Sequence, residues 1–133
     1  MKTKSILIIT ISIITAMSFI LSAQTKEKKN KTVEPKVIFI ELGSVNCIPC
    51  KQMQPVMKAI EEKYGNQVKV IFYDVWKTGQ KKYAQKYGIR LIPTQVFLDA
   101  DGKEFRRHEG FYPEKEIDKI IQGKGLKVKT NKN

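Results

Sequence analysis

The sequence has few residues of the types that bind metals or form disulfide networks. Among its 133 residues are two cysteines, Cys47 and Cys50, and one histidine, His108. A structural zinc site needs about four protein ligands, which this set does not supply. Exported domains that depend on disulfides spread their cysteines along the chain, because closing long loops stabilises most, whereas this pair lies close together. The composition therefore predicts that the cysteines serve chemistry rather than stability.

A long apolar run occurs once, at the start of the chain. Lys2 and Lys4 precede the stretch 6–21, which is apolar except for Ser and Thr, and the small residues Ser22-Ala23 follow. This order is typical of a secretory signal peptide over residues 1–23. The run is also nearly long enough for an uncleaved membrane anchor. Both alternatives predict a domain that works outside the cytoplasm, in the periplasm or at the cell surface, with at most this segment in the membrane.

Acidic residues are scarce, with 13 Asp and Glu against 25 Lys and Arg and a net charge of +12. The excess lies mostly outside residues 37–123, which hold 14 basic and 11 acidic side chains. It is concentrated in a polar linker at 24–36 and a basic tail at 124–133, which we expect to be solvated. A nucleic-acid-binding domain carries its basic stripe on folded surface, so the pattern argues against a nucleic-acid partner.

The hydrophobic pattern of residues 37–123 predicts a single α/β domain. Short apolar runs rich in β-formers predict strands at 37–42, 68–73, 94–98 and 104–109. Helical spacing of apolar residues predicts helices at 51–64, 80–87 and 113–122. Strands joined through helices favour parallel pairing, and the Asp101-Gly102 turn predicts a final antiparallel hairpin. We therefore expect a mixed central sheet with helices on its faces.

Three motifs in order make the chain resemble thioredoxin-like domains over approximately residues 34–123. A buried strand leads into Cys47-Ile48-Pro49-Cys50, and the segment 86–90, Lys-Tyr-Gly-Ile-Arg, comes later. Ile92-Pro93-Thr94 then precedes a strand and the Asp-Gly turn. A lone CxxC is a weak signal, but this combination is specific. The resemblance implies a thioredoxin-like fold and a protein thiol–disulfide oxidoreductase.

The spacing of the two cysteines suits dithiol exchange. A thiolate attacks a partner's disulfide to form a mixed disulfide, and a second thiol nearby resolves it. A helix N-terminus favours negative charge, so we expect Cys47 to have a lowered pKa and to be the nucleophile. Cys50, one turn further, is then the buried resolving thiol, and Pro49 fits the first helical turn. The thiol pair is its own redox carrier, so no separate cofactor is implied.

Glu41 lies six residues before Cys47, near the end of the first predicted strand. Thioredoxins usually carry a buried Asp at the matching position. A buried carboxyl has a raised pKa and is able to take the proton of Cys50 during resolution. The alternative is that Glu41 points outward at the end of the strand.

Pro93 resembles the cis-proline that faces the cysteines in this fold. The resemblance implies a cis Ile92-Pro93 bond, with the backbone of Ile92 free to pair with an extended substrate segment. Ile48 and Pro49, between the cysteines, complete the predicted substrate contacts. The alternative for Pro93 is an ordinary turn proline.

Two departures from the family pattern concern the surroundings of the sulfurs. Thioredoxins usually have Trp just before the first cysteine, where this chain has Asn46, and Phe72 replaces the lysine that commonly neighbours the buried acid. The redox poise of cytoplasmic thioredoxins therefore does not carry over. Pro49 matches the reducing members of the family, which favours a reductase.

The expected partners are protein disulfide substrates, together with a membrane thiol transporter that supplies electrons, and we expect a monomer. Two alternatives stay open: a disulfide-forming oxidase on the same fold, and a module that binds copper(I) through the two thiolates. A copper carrier often adds Met near its cysteines, but Met53 and Met57 fall on the apolar stripe of the helix. Trp76 and His108 are assigned no role.

Overall fold

The computed structural model describes residues 34–129. The predicted signal or anchor segment and nearly all of the predicted linker lie outside these residues. The elements follow the expected order, β-α-β-α-β-β-α. The strands are β1 Val37–Gly43, β2 Val68–Asp74, β3 Thr94–Asp99 and β4 Glu104–Glu109. The helices are α1 Ile48–Tyr64, α2 Lys82–Lys86 and α3 Glu114–Gly123, and a short 3-10 turn at Gly65–Gln67 follows α1. No helix within residues 34–129 is long and apolar enough to cross a membrane.

The four strands form one mixed sheet in the order β2-β1-β3-β4. β1 pairs with β2 in parallel, as predicted, while β3 runs antiparallel to both β1 and β4. The direction of β3 differs from the parallel pairing that we expected for strands joined through helices. The reason is the connection at 75–93, which leaves β2 and enters β3 at the same end of the sheet, since Thr94 lies opposite Leu42. The short helix α2 does not carry the chain back along the strands.

Alternate residues of the central strands build a core on each face of the sheet. On one face, Phe39 and Phe97 stack with ring centroids 4.9 Å apart and pack against the apolar stripe of α1. On the other face, Ile40 and Val96 pack against α2 and its flanking loops. This period of two explains why β1 reads as a continuous apolar run, because both of its faces are covered.

The packed domain continues beyond Gly123, where we predicted a solvated tail. Leu126 is buried in the α1-side core, and Lys129 N donates to Lys63 O at 2.9 Å. Gln67 Nε2 also donates to Lys127 O at 2.8 Å. Two apolar residues in a short lysine-rich segment give little signal in the sequence, but the burial of Leu126 adds residues 124–129 to the domain.

Candidate functional site

The cysteine pair lies at the end of the sheet where β1 and β2 finish and β3 begins. The loop after β1 carries the cysteines, and the loop after β2 carries Trp76. Because β3 runs antiparallel to β1, its first residues meet the same end, which brings Pro93 to the loop that contains Cys47. Loops from three neighbouring strands therefore surround the sulfurs.

Cys47 and Cys50 form a disulfide with their Cα atoms 5.2 Å apart. Cys47 is the N-cap of α1, and its Sγ accepts a hydrogen bond from Cys50 N at 3.3 Å. Pro49 occupies the first turn of the helix, as predicted, where an N–H would have no partner within the helix. Cys47 is 8% exposed and Cys50 fully buried, whereas Ile48 between them is 74% exposed. The two sulfurs are thus unequal in their access to a partner.

Glu41 is fully buried on β1, so the alternative of an outward-pointing side chain is wrong. Neither of its carboxylate oxygens has a hydrogen-bond partner within the described chain. Desolvation by burial raises the pKa of Glu41 to about 8, an effect that the neighbouring side chain of Gln95 partly offsets. Phe72 lies directly opposite Glu41 on β2, at the position where a lysine is usual in the family.

Gln95 is a buried polar residue that the sequence analysis did not single out. It lies opposite Glu41 on β3, and on its other side it pairs with His108 of β4. Registered neighbours point to the same face of a sheet, so the three polar side chains form a row across β1, β3 and β4, with Glu41 at the end nearest Cys50. Gln95 Nε2 donates to Gly110 O at 3.0 Å, while its Oε1 has no partner in the part of the chain that the structure describes. The sequence signal that could have identified Gln95 was a polar residue within a run of apolar β3 positions.

Gly43 keeps open the space between the carboxyl of Glu41 and the buried sulfur. A Cβ at this position would lie 3.2 Å from Cys50 Sγ, 3.1 Å from Cys50 Cβ and 3.4 Å from Glu41 Oε1. The first two distances are shorter than nearly all contacts that real Cβ atoms make. Gly43 therefore lets the carboxyl and the resolving thiol approach the same point.

The Ile92-Pro93 bond is cis, as the resemblance implied. Pro93 O accepts a hydrogen bond from Gly110 N at 2.7 Å, and Thr94 Oγ1 donates to Leu91 O at 2.7 Å. The first contact ties the loop before β3 to the loop after β4, and the second fixes the loop before β3 to the first residue of that strand. Ile92 itself is half-buried at the rim.

Asp74, at the end of β2, joins the cysteine loop to the loop that carries Trp76. Its carboxylate accepts hydrogen bonds from Trp76 N at 3.2 Å and from Val45 N at 3.4 Å, and the residue is buried. Trp76 is the single tryptophan of the chain and is 61% exposed. No role was predicted for Trp76 from the sequence, but this residue lies at the rim of the site.

The methionines near the cysteines belong to the core. Met53 and Met57 are buried on α1, and Met53 Sδ accepts a hydrogen bond from Tyr112 N at 3.3 Å. Their placement on the apolar stripe is confirmed. Among residues 34–129, no group of three or more His, Cys, Asp and Glu side chains is arranged to hold a metal ion.

The arrangement matches a known family. A family model described as a thioredoxin-like domain matches residues 21–124. The chain belongs to the thioredoxin-like family. It is therefore a thiol–disulfide oxidoreductase with a CxxC-type pair, and its fold and enzyme class are confirmed.

Relatives of this thioredoxin-like protein cover the folded part of the chain. The thioredoxin of Bacillus subtilis is 28% identical over 85 residues, which are 64% of this chain and 79% of that protein. Thioredoxin-1 of Drosophila melanogaster is 31% identical over 71 residues, 53% of this chain and 64% of that protein. The crystal structure of Malassezia sympodialis thioredoxin superposes with a TM-score of 0.57 at 33% identity, covering 72% of this chain and 82% of that one.

Proposed function

We propose that this protein reduces disulfide bonds of partner proteins outside the cytoplasm. The observation that carries the proposal is the unequal exposure of the two cysteines: Cys47 is 8% exposed, whereas Cys50 is fully buried beside the space that Glu41 also borders. In the first step the Cys47 thiolate attacks one sulfur of the partner's disulfide, and the other sulfur leaves as a thiolate. In the second step Cys50 attacks Cys47 Sγ, which frees the partner's second thiolate and leaves the Cys47–Cys50 disulfide.

Glu41 is the proposed acceptor of the Cys50 proton in the second step. With a pKa of about 8 its carboxyl is close in acidity to an ordinary thiol. Proton transfer between groups of matched pKa is nearly neutral in free energy, which is the condition for efficient general base catalysis. The proton later returns to solvent when Cys50 is part of the disulfide.

The reducing direction is supported by what surrounds the nucleophile. Strong oxidants of this chemistry are those in which the reduced form is stabilised. Here the contacts to Cys47 Sγ from the described residues amount to one backbone N–H donor, that of Cys50, at the helix N-terminus. One donor stabilises the thiolate only to a limited degree, and Glu41 opposes the thiolate further once it ionises near pH 8. A pair whose reduced form receives this little stabilisation gives its electrons away.

The extracytoplasmic location is supported by the N-terminal sequence, in which a basic start precedes the apolar stretch 6–21. A reductase in an oxidising compartment consumes its own dithiol at each turnover. It therefore needs a membrane thiol transporter, or an equivalent dithiol donor, to reduce the Cys47–Cys50 disulfide again.

The proposal is tested by reduction of a disulfide-bonded model protein such as insulin, with excess dithiol as electron source. We expect catalysis by the wild-type protein and none by Cys47→Ser. Location is tested by treating cells, after permeabilising any outer membrane, with a protease that does not cross the cytoplasmic membrane. Degradation of the domain supports exposure outside the cytoplasm, and full protection, reversed on lysis, contradicts it.

A further inference from the structure

A pocket of about 280 Å³ lies at the rim of the site, between the loop after β2 and the loop before β3. Trp76 and Leu91 line it, and both are unusually exposed for large apolar residues, at 61% and 46%. The rest of its apolar lining consists of Val75, Ala84, Ile89 and Ile92. A pocket of this size is smaller than those that enclose drug-sized ligands, and it suits a single side chain.

The position of the pocket links it to the redox centre. Ile92, which lines it, is the residue before cis-Pro93. On the opposite side, Asp74 holds the Trp76 loop to the cysteine loop through its hydrogen bonds to Trp76 N and Val45 N. An extended segment that pairs with the backbone of Ile92 therefore places one of its alternate side chains next to this pocket.

The surface around the pocket is basic. The segment 75–92 contains four lysines and one arginine and no Asp or Glu. Arg90 is paired with Glu109 at 3.1 Å, but none of the four lysines forms a salt bridge with an acidic side chain of residues 34–129. All four are exposed, and one of them, Lys81, lines the pocket. The described surface therefore offers unpaired positive charge beside an apolar cavity.

We propose that the Trp76 pocket is a specificity site for an acidic, extended segment of the substrate protein, which inserts one apolar side chain between Trp76 and Leu91. The inference rests on the proposed function in one respect: the ligand is taken to be a protein segment that presents its disulfide to Cys47. The lysines attract the acidic flank of the segment and raise its rate of encounter, while the pocket selects the apolar residue.

The single tryptophan makes the binding directly measurable. A short synthetic peptide with one Leu flanked by Glu, and with Ser in place of cysteine, is titrated into the oxidised protein while the fluorescence of Trp76 is recorded. We expect a saturable change in emission, because the Leu side chain displaces water from the indole. Two matched peptides, one with Lys for Glu and one with Ser for Leu, should each bind at least about tenfold more weakly at low salt.

Matched variants distinguish binding in the pocket from nonspecific electrostatic attraction and nonspecific apolar contact. Lys81→Glu should weaken binding of the Glu-Leu peptide by about tenfold, whereas Lys103→Glu, at the hairpin turn at the far end of β3, should change it less than about twofold. Leu91→Ser should weaken binding while leaving the fluorophore in place. Val128→Ser, at an equally exposed apolar residue outside the pocket lining, is its control.

Because the peptides contain no cysteine, this test is independent of the redox chemistry. Equal binding of the three peptides, or no fluorescence change with any of them, overturns the specificity site. Loss of binding in Lys103→Glu equal to that in Lys81→Glu overturns it as well. If the Glu-Leu peptide binds selectively but insulin is not reduced, the specificity site stands and the proposed function fails.

Discussion

Glu41 on β1 lies directly opposite Gln95 on β3, and both side chains are fully buried. Among residues 34–129, neither the carboxyl of Glu41 nor Gln95 Oε1 has a hydrogen-bond partner. An amide is able to donate a hydrogen bond to an ionised carboxyl and to accept one from a protonated carboxyl. Gln95 is thus a neighbour with a donor suited to ionised Glu41 and an acceptor suited to protonated Glu41, which a hydrocarbon side chain lacks.

The first prediction concerns stability as a function of pH. The pKa of Glu41 is about 8 in the folded protein against an ordinary 4.5, so the folded state retains a proton that the unfolded state has lost between these pH values. The stabilisation is fully present below pH 4.5 and is lost as the pH rises through 8, by on the order of 4 kcal/mol. Glu41→Gln should remove this dependence.

Urea denaturation of the oxidised protein at pH 5, 7 and 9 measures the effect. The difference in free energy of unfolding between Glu41→Gln and wild type should increase in favour of the variant across this range. A difference that stays constant from pH 5 to pH 9 would show that Glu41 does not have a raised pKa.

The second prediction concerns Gln95→Leu. Gln95 lowers the pKa of Glu41, so its replacement should raise that pKa further and leave less ionised carboxyl at neutral pH. Resolution of a preformed mixed disulfide should be on the order of fivefold slower at pH 7 and should recover at higher pH. In a Glu41→Gln background the same substitution should leave the pH profile unchanged. A uniform slowing at every pH in both backgrounds would indicate a structural effect only.

Gly43→Ala should impair the resolving step rather than the attack. The new Cβ would crowd Cys50 and the carboxyl of Glu41, while the backbone of Gly43 is in a region that alanine adopts. We expect the mixed disulfide to persist about tenfold longer, with attack by Cys47 changed less than about twofold. Gly79→Ala, which has no atom within 4 Å of its Cβ, is the matched control. Unchanged resolution in Gly43→Ala would refute a need for the open space.

The exposure of the two thiols predicts their order of reaction. After reduction, a small alkylating reagent should modify Cys47 well before Cys50, because Cys50 is buried. Cys50→Ser should accumulate a stable mixed disulfide with a substrate protein, and Cys47→Ser should accumulate none. Mass spectrometry of a partially alkylated sample identifies the modified residue. Faster labelling of Cys50 would reverse the proposed roles.

The copper(I) alternative predicts a different behaviour of the same sulfurs. If thiol–disulfide exchange is the function, protein that is reduced and purified without oxygen should contain less than one metal ion per chain. One copper(I) bound per chain, released on oxidation, together with no catalysed reduction of insulin, would favour the binding module instead.

The parts of the site that are local in sequence were predictable. Cys47, Cys50 and the Pro93 segment are short motifs, and their placement at one end of the sheet follows once the strands are ordered. The burial of Glu41 was implied by the family resemblance, with an outward-pointing side chain as the open alternative. Phe72 was assigned as its neighbour by the same resemblance, and the parallel register of β1 and β2 places it opposite Glu41.

The parts that depend on long-range register were not predictable. Gln95 comes next to Glu41, and His108 next to Gln95, only because β3 is antiparallel to β1 and to β4, and the direction of β3 depends on where the 75–93 connection ends. The role of Gly43 was not predictable, because it depends on where Cys50 lies relative to β1 in the folded chain. Leu126 was missed because Leu126 and Val128 lie in a lysine-rich segment that is too short to show which of the two is buried.

The direction of electron flow is tested most directly by the equilibrium reduction potential of the Cys47–Cys50 pair. The protein is equilibrated with mixtures of reduced and oxidised glutathione, and the fraction of free thiol is measured by alkylation, with Cys50→Ser as the control that forms no internal disulfide. We predict a potential near that of a reducing thioredoxin, roughly −270 mV. A potential near that of a strong disulfide donor, about −120 mV, would contradict reduction as the function.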